Sequence, residues 1–227
     1  KKAKKICVAY DGLERFFPKN KIIKTGNPVR QDLLEINDSK TEAIKEFNLV
    51  EGKQTLLVLG GSLGAKAINE LLERELDFLQ MQNLQIIWQC GKLYYDQYKI
   101  YSNTKHVQVH AFINKMNCAY AAADFIISRA GAGSVLELCI VGKPVVFVPS
   151  PYVAEDHQTK NAKAVVEKDA ALLIAQEDLE VDFKNKFSQL IASTERQQQL
   201  SKNIKELALV NATKEIVDEV VELLNKK

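Results

Sequence analysis

Two glycine-rich segments place backbone groups where they could bind an anion. Gly60-Gly61-Ser62-Leu63-Gly64 follows an apolar run, and Gly131-Ala132-Gly133-Ser134 follows another and leads into a helical pattern at Val135. Glycine lets a backbone approach a ligand closely, and the N–H groups at a helix start attract negative charge. The N–H groups of the second segment therefore predict a diphosphate site. Each segment alone is also typical of a tight turn, because neither has Walker A or dinucleotide spacing.

A carboxylate follows the second glycine segment by one helical turn. Glu137 lies between Leu136 and Leu138 in that helix. Its two oxygens can accept hydrogen bonds from the two adjacent hydroxyls of a ribose, as Rossmann-type sites commonly arrange. A solvated helix glutamate is the commoner situation in general. The position just behind a glycine-rich turn favours the ribose site.

Further polar side chains come from two other places. Asp156-His157-Gln158 and Asn161 put amides on one helix face, and amides can both donate to and accept from sugar hydroxyls. Asn161 could instead simply hold its loop. Arg30 could offset charge on a departing diphosphate, or be an ordinary surface residue. For Arg129, which closely follows a strand, we predict a structural or interdomain role.

Composition excludes several classes of protein. The net charge of +2 and the pI near 8.2 are too mild to indicate a nucleic-acid partner. The four cysteines are far apart, so we predict reduced structural thiols and no metal site or cofactor. None of the three histidines has a Ser or Cys nucleophile and an orienting acid beside it in sequence. No apolar run approaches membrane-spanning length, so we expect a soluble protein or one that rests on a membrane through another part.

Apolar strands alternate with amphipathic helices, which predicts a doubly wound α/β domain with a parallel sheet covered on both faces. The predicted strands of this sheet are 55–59, 85–89, 106–110, 124–127, 145–148 and 171–174. The predicted helices between them are 65–79, 94–101, 115–122, 135–141 and 159–168. Only helices follow, at 183–192, 195–209 and 214–224, with Thr213 as the cap of the last. Two short strands are predicted ahead of the sheet, at 6–10 and 21–24.

Five motifs resemble the MurG family in their order along the chain. They are TGNPVR (25–30), GGSLGAKAIN (60–69), SRAGAGSVLEL (128–138), GKPVVFVPSP (142–151) and DHQTKNA (156–162). This family contains the bacterial transferases that add N-acetylglucosamine to the undecaprenyl-linked precursor of peptidoglycan. The resemblance covers nearly the whole chain but only the second half of that enzyme and the last piece of its first half. It implies one Rossmann-like domain of a two-domain, inverting GT-B-type glycosyltransferase.

The resemblance also implies roles for individual residues. Ser62 would bind the donor nucleotide, the backbone of Ile113 would bind uracil, and Glu137 would hold the ribose. Gln158 would read the N-acetylglucosamine hydroxyls with help from His157 and Asn161, although some relatives carry Gln where His157 stands. The donor site that the family implies is completed by Arg30, Ala132, Gly133, Ser134, Val135 and Leu136. The general base, the acceptor site and the membrane-facing surface would all lie in the first domain, outside this chain.

These implications give a domain plan and a function. We expect residues 1–28 to be the remnant of an N-terminal acceptor domain and hinge, 29–210 the donor domain, and 211–227 a helix that crosses back to the first domain. Residues 216, 217 and 220 would then be more exposed than their spacing suggests. The early strands could instead add to the edge of the main sheet. We expect UDP-N-acetylglucosamine as donor substrate and no nucleic acid.

The expected location is the cytoplasmic face of the bacterial inner membrane, with membrane and lipid-linked acceptor reached through the missing domain. Two alternatives stay open. One is the donor subunit of a split transferase acting on a dolichol-linked sugar, against which the early strands argue, since such a subunit would begin near its first core strand. The other is a non-catalytic nucleotide-binding or interaction module.

Overall fold

The computed structural model describes residues 2–9, 12–34 and 40–225. Its strands are β1 (Ile6–Val8), β2 (Ile22–Lys24), β3 (Thr55–Leu59), β4 (Gln85–Gln89), β5 (Val107–His110), β6 (Phe125–Ser128), β7 (Val145–Phe147) and β8 (Leu172–Leu173). Its α-helices are α1 (Lys40–Glu46), α2 (Lys66–Met81), α3 (Tyr95–Tyr98), α4 (Met116–Ala122), α5 (Ala132–Val141), α6 (His157–Val166), α7 (Leu179–Ala192), α8 (Thr194–Glu206) and α9 (Ala212–Asn225). Short 3₁₀ turns join several of them.

Six parallel strands form the central sheet in the order β5-β4-β3-β6-β7-β8. The chain therefore winds outward from β3 in one direction and from β6 in the other, which confirms the predicted doubly wound fold. All residues of β3, β4 and β6 are buried, as expected for strands covered on both faces. In an open sheet of this kind, ligands bind beyond the carboxyl ends of the strands where the winding reverses. That point lies between β3 and β6.

Alternating side chains of the strands feed two apolar cores, one on each face of the sheet. On β6, Ile126 packs with residues of α1, α4 and α5, whereas Phe125 and Ile127 pack with residues of α2 and α7. The two layers hold the ends of β3 and β6 in place. The loops that follow these strands are thus anchored to the most buried part of the molecule.

The first two strands pair only with each other among the described residues. β1 and β2 form a parallel two-stranded sheet, with Ile6 opposite Ile22. The alternative that they extend the edge of the main sheet is therefore wrong. The Val8 carbonyl accepts hydrogen bonds from the N–H groups of Thr25 and Gly26, so the pair is closed by the following turn. The strand predicted at 6–10 ends at Val8, and Tyr10 lies outside the described residues.

The last helix differs from the prediction at its start and agrees with it on its surface. α9 begins at Ala212, so Thr213 lies inside its first turn, and the predicted cap at Thr213 is wrong. Ala212 is buried against Gly26, which brings the helix start forward by packing. Val217 and Val220 are 53% and 52% exposed, which confirms their predicted exposure, whereas Ile216 is only partly exposed. None of the described helices combines the length and apolarity that crossing a bilayer requires.

Candidate functional site

A cleft of about 680 Å³ opens where the winding of the sheet reverses, within the usual range for small-molecule sites. The loop after β3 forms one wall, and the loop after β6 forms the other. Side chains from the loop after β7 and from the start of α6 complete it. Its lining includes Gly60 to Ala67, Arg129, Gly131, Ser134, Ser150, Tyr152, Gln158 and Gln176. Of the predicted site residues, Ser62, Ser134 and Gln158 thus come together from three separate segments.

The loop after β3 is held in a conformation that requires glycine. Gly64 has φ +93°, and a Cβ there would lie 2.3 Å from the carbonyl oxygen of Cys90. A Cβ on Gly91, in the loop after β4, would lie 2.1 Å from the Gly64 nitrogen. The two loops therefore touch backbone to backbone. The glycine segment at 60–64 was recognisable in the sequence as a candidate loop. No sequence feature near Gly91 indicated that Gly91 contacts that loop.

A buried asparagine, which was not predicted from the sequence, stabilises this contact between the two loops. Asn69 on α2 donates from Nδ2 to the Cys90 carbonyl at 2.9 Å and accepts from the Trp88 indole N–H at 2.9 Å. It is fully buried, so both bonds are shielded from water. The available signal was a polar residue on the apolar face of a helix, between Ile68 and Leu71.

The loop after β6 delivers a helix start to the cleft. α5 begins at Ala132, three residues before the predicted start, because the Val135 N–H already donates to the Gly131 carbonyl at 2.9 Å. The N–H groups of residues 132–134 precede that first bond and belong to the helix terminus, where positive partial charge accumulates. Val135 and Leu136 are buried, so their side chains pack in the core, and only their backbone could face a ligand.

Arg129 adds a positive charge to the cleft wall. Its guanidinium donates to the Val148 carbonyl at 2.9 Å and to Gln176 Oε1 at 2.8 Å. Burial lowers the pKa of Arg129, although an arginine remains protonated at neutral pH. These contacts confirm a structural role for Arg129, because it ties the ends of β6 and β7 to the turn at residue 176. They also leave a cation beside the start of α5.

The α6 end of the cleft carries the predicted amides. Gln158 accepts the Ser150 N–H at Oε1 over 3.0 Å, which leaves its amide N–H groups to donate to a ligand. Asn161 donates to the Ala130 carbonyl at 3.0 Å, in agreement with the alternative that it holds the loop. His157 is exposed, and its Nδ1 lies 2.9 Å from the Ala154 carbonyl. Tyr152, which sequence reasoning missed, lines the cleft with 86% of its surface exposed.

Glu137 and Arg30 contact each other outside this cleft. Arg30 Nη2 donates to Glu137 Oε2 at 3.2 Å, and the hydroxyl of Tyr120 donates to the same oxygen at 3.1 Å. The Arg30 side chain is 41% exposed and that of Glu137 is 23% exposed. Sequence reasoning predicted a diphosphate role for Arg30 and a ribose role for Glu137 without foreseeing this contact.

Ile113 follows β5 and is buried. Its backbone N–H donates to Gln89 Oε1 at 2.9 Å. A uracil ring at this position would therefore donate a hydrogen bond to the Ile113 carbonyl, or would replace Gln89 as the acceptor of the Ile113 N–H. Within the described part of the chain, no group of three or more His, Cys, Asp or Glu residues is arranged to hold a metal ion.

Comparison with known proteins places this geometry in a family. The family model for the glycosyltransferase family 28 C-terminal domain matches residues 55–219. The chain is 57% identical over 227 residues to a protein of Flavobacterium psychrophilum, and 53% identical over 227 residues to one of Christiangramia forsetii. Both carry the name UDP-N-acetylglucosamine--N-acetylmuramyl-(pentapeptide) pyrophosphoryl-undecaprenol N-acetylglucosamine transferase. All of this chain is covered, and it spans 62% of the length of each relative.

A solved structure gives the same result. The crystal structure of Acinetobacter baumannii MurG matches with a TM-score of 0.69 and 31% sequence identity. The match covers 89% of this chain and 58% of that one. The resemblance stated from five motifs is thereby confirmed at the level of sequence family and of fold.

Proposed function

This chain belongs to the glycosyltransferase family 28 C-terminal domain family, and from that premise we propose that its cleft binds UDP-N-acetylglucosamine as a sugar donor. A full-length protein that carries this domain then transfers N-acetylglucosamine to undecaprenyl-diphospho-muramyl-pentapeptide in peptidoglycan synthesis. The substrates are those in the name that the two bacterial relatives share. The acceptor site, the general base and the membrane contact at the cytoplasmic face belong to a preceding domain in this proposal.

One observation carries the proposal: a helix start, a second glycine loop and a cation converge at the switch point of the sheet. The diphosphate lies at the N–H groups of residues 132–134, with Ser62 donating from the opposite wall. Arg129 supplies positive charge from the cleft wall. Farther along α5, Glu137 holds the ribose. The backbone of Ile113, after β5, hydrogen-bonds the uracil. Gln158 donates to the sugar.

The same groups account for leaving-group stabilisation. When the bond between the sugar carbon C1 and the diphosphate oxygen breaks, negative charge grows on the departing UDP. Backbone N–H groups and Arg129 are already in place to stabilise that charge, and fixed donors act strongly because they need no reorganisation. Arg30 can join them if it leaves Glu137, which its exposure allows. The acceptor hydroxyl attacks C1 from the opposite side and loses its proton to the base of the preceding domain, which inverts the configuration.

Calorimetric titration of this chain tests the nucleotide part. UDP and UDP-N-acetylglucosamine are expected to bind, UDP-glucose more weakly than UDP-N-acetylglucosamine, and ADP not detectably. Failure to bind any uridine nucleotide would favour a non-catalytic module. The chain alone is also expected to transfer no sugar to a soluble lipid-precursor analogue, because orientation of both substrates supplies much of the rate. Measurable transfer by these 227 residues would contradict the assignment of the base to another domain.

A further inference from the structure

A buried hydroxyl points at the carboxylate proposed to hold ribose. Tyr120 lies on α4 and is 2% exposed. Its hydroxyl donates to Glu137 Oε2 at 3.1 Å. A buried hydroxyl is normally paired, and this one is paired with a residue of α5 seventeen positions away. The bond therefore connects two helices on one face of the sheet and holds the Glu137 side chain from the core side.

The two groups that hold Glu137 differ in freedom. Tyr120 is enclosed by the core, whereas the Arg30 side chain is 41% exposed and reaches the same oxygen at 3.2 Å. A carboxylate oxygen accepts about two hydrogen bonds, so Oε2 is filled by these donors. The two side-chain hydrogen bonds that the described residues make with the Glu137 carboxylate are both on Oε2. Oε1 is thus the oxygen available to a ligand.

The chemistry of Tyr120 suits a permanent donor. Burial first, and then the negative charge of Glu137, raise the pKa of Tyr120 above its ordinary value. The hydroxyl therefore keeps its proton throughout the neutral range and donates at all times. Arg30, in contrast, can turn to a diphosphate without leaving the carboxylate unheld.

From this geometry we infer that Tyr120 is a positioning residue of the ribose site. It holds Glu137 through Oε2 and directs Oε1 to the hydroxyls of the nucleotide. Arg30 is the exchangeable partner, released when the diphosphate arrives. The inference rests on the proposed function, since it takes Glu137 to be the ribose ligand.

The test compares UDP with 2′-deoxy-UDP by calorimetry on four proteins: the unmodified chain, Tyr120→Phe, Tyr98→Phe and Glu137→Ala. The unmodified chain is expected to bind UDP more tightly than the deoxy analogue. In Tyr120→Phe, which loses one oxygen and keeps the ring, UDP affinity is expected to fall about three- to tenfold, the usual range for one hydrogen bond. The preference for UDP over 2′-deoxy-UDP should shrink as well. Tyr98→Phe removes the hydroxyl of another buried tyrosine, on the opposite face of the sheet, and should leave both quantities unchanged.

The ratio of the two affinities distinguishes positioning from stability. Partial unfolding of a variant lowers the apparent affinity for both ligands by the same factor. It therefore cancels from the ratio of the affinities for UDP and 2′-deoxy-UDP. An unchanged ratio in Tyr120→Phe, alongside a ratio lost in Glu137→Ala, would overturn the role of Tyr120 and leave the proposed function intact. If the unmodified chain binds no UDP, the proposed function fails, and this inference fails with it.

Discussion

Gly64 lines the cleft in the loop between β3 and α2, and Gly133 lies in the first turn of α5, behind the loop that forms the opposite wall. At Gly64 the backbone has φ +93°, and a Cβ would overlap the Cys90 carbonyl oxygen. At Gly133, inside the first turn of α5, the backbone is helical, and a Cβ would meet no atom within 4 Å beyond its chain neighbours and its own helix backbone. The conformation of the first loop therefore requires glycine at position 64. The second has no such need within the protein.

This difference shows where a ligand is expected to approach. Glycine in a helix is disfavoured against alanine by up to about 1 kcal/mol, so Gly133 carries a cost that its neighbours do not explain. Close approach of a diphosphate to the helix start does explain it. We therefore propose that the loop after β3 acts as a fixed wall and that the start of α5, after β6, is the surface that the diphosphate approaches.

The largest expected effect comes from the fixed wall. Gly64→Ala adds a Cβ at 2.3 Å from the Cys90 oxygen in a backbone conformation that L-residues avoid. We expect a loss of about 2–5 kcal/mol in the free energy of unfolding, from overpacking and from the positive φ. Urea unfolding followed by circular dichroism measures it.

Gly61→Ala is the matched control in the same loop. Gly61 has φ +81°, but a Cβ there would meet nothing within 4 Å. Only the conformational cost of about 1–2 kcal/mol should remain. Equal losses in the two variants would mean that contact between the loops after β3 and β4 is not what requires Gly64.

The fold was largely predictable because apolar periodicity reports burial directly. The strands predicted at 55–59 and 85–89 agree with β3 and β4 at both ends. Errors fall at the ends of elements, where packing decides. The predicted helices 94–101 and 195–209 end early, at Tyr98 and Glu206. At helix starts, α5 begins early because Gly131 accepts the first helical bond, and α9 because Ala212 is buried. A short sequence window does not contain the distant partner that settles such a boundary.

The site was predictable only where motif residues line the cleft themselves. Ser62, Ser134 and Gln158 do meet in one cleft. The supporting residues were missed because their role depends on contacts between distant segments. Asn69 bonds to Cys90, and Tyr120 bonds to Glu137, across separations of 21 and 17 residues. Periodicity identifies such residues as buried, but not what they hold.

The next effect concerns the proposed ribose site at Glu137, in α5. In Glu137→Ala, UDP affinity is expected to fall at least about tenfold, equivalent to about 1.4 kcal/mol, because hydrogen bonds to a charged group are each worth about 1.5–3 kcal/mol. Calorimetry with UDP measures the loss of affinity, and calorimetry with 2′-deoxy-UDP shows whether the ribose hydroxyl is responsible for it. The unmodified chain should discriminate between these ligands and the variant almost not at all. Equal discrimination in both proteins would remove Glu137 from the ribose site.

A smaller effect is expected at the sugar end. Gln158→Ala should weaken UDP-N-acetylglucosamine binding by about 1 kcal/mol, one net hydrogen bond, and leave UDP binding unchanged. Titration of both ligands separates a sugar contact from a loop effect, because Gln158 also accepts the Ser150 N–H. Asn161→Ala serves as control, since it releases the Ala130 carbonyl and should affect both ligands alike. The sugar contact is refuted if Gln158→Ala also weakens both equally.

The smallest expected effect returns to Gly133 and has opposite signs for stability and binding. In Gly133→Ala the new methyl group meets no atom within 4 Å beyond its chain neighbours and its own helix backbone, and alanine is the better helix former. The free energy of unfolding should rise by up to about 1 kcal/mol. UDP affinity should fall, because the methyl group stands where the diphosphate approaches the helix start. Urea unfolding and calorimetry on the same preparation measure the two quantities. A variant that gains stability and binds UDP as tightly as before would show that the second loop does not bind the diphosphate, and the contrast with Gly64 would then lose its functional meaning.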